Sequence, residues 1–206
     1  MPSKVAGIGT RAVEDATGLG WDGWLAELDD RGAEELDHGE IVAELEALDV
    51  ESGWWRQAIA NGYEVERGLR EEGETLDAGF QVGVQRTIRV EPAALWELLL
   101  SPEGRALWLG ESEAFDAEPG ANYETADGTT GEVRTVKPGE RLRMTWQPAD
   151  RDAPTTLQLT LSCPRNDASK TTLGVHHEKL ADGEEREAMR AVWRDALDRI
   201  EASVAP

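Results

Sequence analysis

The stretch "FQVGVQRTIRVEPAALWELLLSPEGRALWLG", residues 80–110, sets the architecture of the larger part of the chain. Its first eleven residues alternate in the period of two that a strand requires. Pro92 and Pro102 then each open a short apolar run, and proline is well placed at the first turn of a helix. One strand followed by two short helices, Pro92 to Leu100 and Pro102 to Trp108, is the predicted order.

Downstream the alternation resumes. "GEVRTVKPGERLRMTWQP", residues 131–148, reads as a hairpin with "KPGE" as its turn. On its second arm Leu142, Met144 and Trp146 share one face. In "TTLQLTLSCP", residues 155–164, Leu157, Leu159, Leu161 and Cys163 face one way, and Thr156, Gln158, Thr160 and Ser162 the other. In "TTLGVHHEKL", residues 171–180, the same rule directs Leu173, Val175 and His177 inward. Such alternation predicts an antiparallel sheet with one wet face. A final helix, about Asp182 to Val204, carries Met189, Val192, Trp193, Ala196, Leu197 and Ile200 as an apolar stripe. A curved sheet wrapping that helix satisfies every stripe, an α+β architecture.

Residues 1–79 have a different texture. They hold 20 acidic and 6 basic side chains, a net of −14, against −7 for the remainder. Residues 1–16 are expected to be a flexible arm. Over 17–70 the spacing predicts a small three-helix domain. Its helices start at Trp21, after the "DHGE" capping box at Asp37, and after the cap at Ser52. "REEGETLDAG", residues 70–79, reads as a linker, with 71–79 assigned to it and 80–206 to the second domain. Three short helices have few side chains with which to fill a core, and a tryptophan buries roughly 150–250 Å². Most of Trp21, Trp24, Trp54 and Trp55 are therefore expected in that core. Helical neighbours point about 100° apart, so Trp54 and Trp55 cannot both face inward. One of the pair is expected to meet the second domain or a partner.

These pieces resemble a known family. "RTIRVEPAALWELLLSPEGRALWLG", "DAEPGANYETADGTTGEVRTVKPGERLRMTW" and "TTLGVHHEKL" are similar to the helix-grip fold of the START and birch-pollen-allergen superfamily, SRPBCC. Within it they resemble the branch homologous to the activator of the heat-shock chaperone ATPase, from about Val82 to Ala202. The helical segment, about Gly18 to Gly68, resembles a small bacterial domain of unknown function. True chaperone activators carry a larger domain in that place. The resemblance implies a cavity between sheet and final helix, since relatives bind lipids, hormones and polyketides.

The chemistry on offer is sparse. "GLGWDG", residues 18–23, has dinucleotide-motif spacing but follows no apolar strand, and Asp22 would repel a phosphate. His176 and His177 are strand neighbours on opposite faces, so they cannot chelate one ion together. Cys163 is the single cysteine. It excludes an internal disulfide and has no local base to make it a nucleophile. No catalytic residue, metal or cofactor is assigned. The leading expectation is a non-catalytic protein that binds an apolar or aromatic small molecule in a hydrophobic cavity. Its candidate lining is Trp108, Phe115, Tyr123, Met144, Trp146, His177 and Trp193. The alternative is a protein-interaction or co-chaperone-like module, its cavity filled by its own side chains, with Trp54 and Trp55 meeting a protein partner or a second copy. A cyclase- or hydrolase-like enzyme is the weaker third.

The chain is 39% hydrophobic, enough for a real core, without a run of about 18 apolar residues or a secretory leader. A cytoplasmic protein with no membrane association is expected. Its net charge is −21, and no cluster of lysine and arginine offsets the repulsion of phosphates. Gel-shift titration with single- and double-stranded DNA and RNA at physiological salt should therefore show no retained complex. Micromolar retention that weakens with added salt would contradict this reading.

Overall fold

The computed structural model describes residues 4–75, 79–164, 167 and 169–204. The chain forms two compact units, Met1–Glu74 and Thr75–Pro206. Part of the segment expected as a linker, residues 76–78, lies outside the described residues.

In the first unit the expected flexible arm is instead structured. Strands β1 (Lys4–Val5) and β2 (Ile8–Gly9) pair antiparallel and lead into helix α1 (Thr10–Thr17). Val5 and Val13 are buried in the core. The physical reason is shortage: a core of this size has few aliphatic donors, so the arm supplies two. Helices α2 (Trp21–Asp30), α3 (His38–Ala47) and α4 (Gly53–Glu66) follow. The capping box forms as its residues predict. Asp37 accepts from the Glu40 N–H at 2.9 Å, and the Asp37 N–H donates to the Glu40 carboxylate at 2.9 Å. Ser52 caps α4 by accepting from the Trp55 N–H.

The tryptophans divide by depth. Trp21 and Trp24 are buried, and each indole N–H has a partner: Trp21 donates to the Ile8 carbonyl at 2.9 Å, Trp24 to the Thr17 hydroxyl at 2.8 Å. Trp55 is half-buried against the same core, while Trp54 is 60% exposed. Their rings meet edge to face with centroids 4.7 Å apart. Trp21 also explains Gly62 on α4. A Cβ there would lie 2.4 Å from the indole ring.

The second unit runs β3 (Phe80–Ile88), α5 (Pro92–Leu100), α6 (Pro102–Trp108), β4 (Asn122–Glu124), β5 (Thr130–Lys137), β6 (Arg141–Trp146), β7 (Thr155–Ser162), β8 (Thr171–Leu180) and α7 (Gly183–Ser203). The six strands form one antiparallel sheet in the order β3-β8-β7-β6-β5-β4. Pro138 and Gly139 make the β5–β6 turn. The Glu140 N–H donates to the Lys137 carbonyl at 2.9 Å and Gly139 takes φ +72°, a conformation glycine adopts without strain. Leu142, Met144, Leu157, Leu159, Leu161, Leu173 and Val175 line the buried face, and α7 lays Trp193, Ala196, Leu197 and Ile200 into the same core. This is the helix-grip arrangement.

Two positions depart from the expected stripes. Val192 is exposed, because α7 meets the core through Trp193 and Val192 points a third of a turn away. Cys163 is exposed as well, because β7 stops at Ser162 and the chain turns before Cys163 can take its inward place.

The close approach of α4 to Trp21 yields a test. Gly62→Ala should destabilise the first unit by about 1–3 kcal/mol, the usual cost of overpacking, despite alanine's better helix propensity. Urea denaturation followed by tryptophan fluorescence reads the change. An unchanged or raised midpoint would contradict the close packing.

Candidate functional site

Where sheet and closing helix meet, three of the residues singled out from the sequence come together. Trp146 ends β6, His177 lies inward on β8, and Trp193 sits mid-way along α7. Ring centroids are 5.1 Å apart for Trp146 and His177, 5.6 Å for His177 and Trp193, and 6.3 Å for the two tryptophans, all edge to face.

Both ring nitrogens of His177 are committed. An indole N–H can only donate, so the Trp193 Nε1–H at 3.1 Å makes His177 Nδ1 an acceptor. The neutral ring then carries its proton on Nε2, which donates to the Thr155 hydroxyl at 2.7 Å. Thr155 in turn donates to the Trp146 carbonyl at 2.7 Å. The chain of donors runs from helix to sheet with no atom left over. Burial pushes the His177 pKa down from 6.5 to about 3, helped by the positive charge of Arg151 and by His176. His177 is 0% exposed and Trp193 1%.

The other candidates lie elsewhere in the same hydrophobic core. Trp108 is buried, its indole N–H donating to the Leu99 carbonyl at 3.0 Å. Met144 is fully buried on β6 between Val133 and Leu157. Phe115 and Tyr123 form their own pair, centroids 5.7 Å apart, with the Arg105 guanidinium 5.2 Å over the Phe115 ring. The Tyr123 hydroxyl donates to the Thr145 carbonyl at 2.7 Å, and burial pushes its pKa up. Trp54 and Trp55 belong to the first unit. His176 faces the opposite side of β8 from His177, with Nδ1 3.3 Å from the Glu178 carboxylate. Among the described residues no three histidine, cysteine or acidic side chains are placed to hold a metal. No helix among them is long and apolar enough to cross a membrane.

Sequence periodicity found His177 and Trp193 but not Thr155. Thr155 stands at the start of β7, on the inward face with Leu157 by the same alternation, but no period reveals that it is the hinge of the hydrogen-bond chain. A groove of about 1130 Å³ was also missed. It lies at the β4 end of the sheet, and Tyr123 is the one candidate residue that lines it. Its walls are about half polar and mix a loop, the edge strand β4 and parts of β5 and β6, so no single apolar period marks them.

The family model described as Activator of Hsp90 ATPase homolog 1-like protein matches residues 89–205, more than half of the chain. The chain belongs to this family. Three solved structures show the same fold. CV1439 from Chromobacterium violaceum is 22% identical, with a TM-score of 0.53 over 61% of this chain and 97% of its own. CalU16 from Micromonospora echinospora is 19% identical, with a TM-score of 0.54 over 64% and 82%. PFC0360w, an HSP90 activator from Plasmodium falciparum, is 16% identical, with a TM-score of 0.52 over 61% and 96%. At these identities the likeness is one of fold. No curated protein matches the sequence. The family match places the chain in SRPBCC, on the activator-like branch.

A buried histidine that stays neutral couples stability to pH. The unfolded chain binds a proton at His177 near pH 6.5, whereas the folded chain does so only near pH 3. Its contribution is therefore present above pH 6.5 and drains away as the pH falls toward 3. His177→Leu removes this proton linkage, leaves the Trp193 indole donor unpaired and takes away the donor that the Thr155 hydroxyl accepts. At pH 7 it should cost about 2–3 kcal/mol. By pH 4.5 the gap to wild type should shrink by roughly 2 kcal/mol. Urea titrations at the two pH values measure it; a gap that stays constant would contradict the buried neutral state.

Proposed function

We propose that this chain is a non-catalytic interaction protein of the co-chaperone-like kind, with its grip filled by its own side chains. One observation carries the reading. The polar anchor that an apolar ligand would need inside the grip, His177, already has Trp193 on one ring nitrogen and Thr155 on the other. A ligand reaching that anchor would have to break this chain of hydrogen bonds. The low pKa also argues against acid–base catalysis, because a catalytic histidine works best near the operating pH. Family membership supports the reading, since the matching description is that of chaperone ATPase activator homologues.

A second reading, binding of an apolar or aromatic small molecule, rests on Trp146. It touches the buried cluster yet is only half-buried, so the aromatic wall reaches toward the surface. A ligand could insert there if the cluster opens.

One pair of measurements separates them. The interaction reading expects a broad library of apolar and aromatic compounds to leave the melting temperature of the full chain unchanged. It expects calorimetric titration with an Hsp90-class chaperone to show saturable binding. A compound that raises the melting temperature in proportion to RT ln(1 + [L]/Kd) and perturbs tryptophan fluorescence, with no heat from the chaperone, would favour the carrier instead.

A further inference from the structure

The groove at the β4 end of the sheet combines three features that the fold alone does not require. The first is a free edge. β4 is the last strand of the sheet and holds three residues. Along its boundary with β5, the Val133 N–H donates to the Ala121 carbonyl at 2.8 Å and the Thr125 N–H to the Thr129 carbonyl at 2.9 Å. Antiparallel bonding alternates, so the odd-numbered residues of β4 face β5, and the N–H and C=O of Asn122 and Glu124 point away from it. No turn or loop bond reaches these groups, while one step beyond β4 the Ala126 N–H donates to the Glu111 carbonyl at 2.7 Å, so the Glu111 segment closes that end of the edge.

The second feature is charge. Glu111, Glu113, Glu124 and Glu132 line the groove, and its one cation, Arg134, is taken by Glu132 at 2.8 Å. Glu111, Glu113 and Glu124 have no ion-pair partner among the described residues. The third is size. About 1130 Å³ exceeds the roughly 300–1,000 Å³ of small-molecule pockets, and the walls are half polar rather than apolar. A groove of this size, half polar and beside unpaired main-chain groups, suits an extended chain.

We propose that this groove receives an extended, lysine- or arginine-bearing segment of a partner protein, which pairs as an additional strand on β4. Main-chain bonds to Asn122 and Glu124 supply affinity, and the three uncompensated glutamates select for cationic side chains. A short edge bearing a glutamate also keeps a sheet from pairing with its own copies. Here the net charge of −21 reinforces that selection, disfavouring a second copy and favouring a basic strand. The inference rests on the reading of the chain as an interaction protein and adds the surface and the chemistry of the partner.

The test uses the full chain and a fluorescent peptide of about seven residues alternating lysine with threonine and valine. Anisotropy should show saturable binding that weakens with salt. The combined Glu111→Gln, Glu113→Gln and Glu124→Gln variant, whose unchanged melting is checked first, should bind about tenfold more weakly. The same peptide with alternate amides methylated on the strand-pairing edge should not bind. Three results would each overturn the proposal: equal binding of the methylated peptide, equal binding of a glutamate-for-lysine peptide, or self-association of the chain through this edge in place of peptide binding. A small molecule that raises the melting temperature without displacing the peptide would defeat the filled grip and leave the edge intact.

Discussion

The Trp193–His177 hydrogen bond ties the closing helix to the sheet, and the rest of the second unit is arranged around it. Apolar packing supplies most of the attraction between α7 and the sheet, but it is non-directional. A buried donor that must find its acceptor fixes rotation and register. Trp193 reaches His177 only when α7 lies at one height, and His177 reaches Thr155 only when β7 and β8 hold their observed register, Leu157 opposite His177. Because each member is buried, a slip by one residue would leave several polar atoms unpaired at about 1–3 kcal/mol each. The cluster is thus a specificity device as well as a stabilising one.

The first unit solves a different problem. It must build a core from short helices in a strongly acidic segment. Two buried tryptophans, each with its indole N–H satisfied, provide the bulk, and the N-terminal hairpin brings Val5 to the same core. Its arginines hold the acidic surface together locally. Arg67 reaches Asp29 through its Nε at 2.8 Å, Arg31 joins Glu27 and Glu44, and Arg70 meets the buried Glu64 at 3.2 Å. Acidic side chains outnumber such partners, so the net field remains negative.

Much of this was legible in the sequence because it follows from periods. Alternation placed Leu157, Leu173, Val175 and His177 inward, and the capping residues Asp37, Ser52 and Asp182 marked their helices correctly. What periods cannot show is partnership across the fold. Alternation sets Thr155 inward and Thr156 outward, but only the register of β7 against β8 makes Thr155 the partner of His177. The sequence alone allowed His177 to be a buried histidine satisfied by a neighbouring hydroxyl or carbonyl as well as a ligand contact, but it did not point to the Trp193 indole as a partner. The N-terminal arm was misread because a short hairpin with one buried valine has too few residues to display a period. The groove was invisible because its wall is assembled from a loop and from residues of three different strands, β4, β5 and β6, which no single period joins.

The central claim is that the grip is closed by a neutral, doubly engaged His177. Nitrogen-15 NMR of the histidine side chains tests it most directly. The account predicts that His177 shows the neutral tautomer protonated on Nε2, with Nδ1 as acceptor, and that this signature persists well below pH 6.5, toward about 3. A His177 signal that titrates near pH 6.5, or that shows exchange between tautomers, would mean the hydrogen-bond chain is open and the interior is available to water or to a ligand.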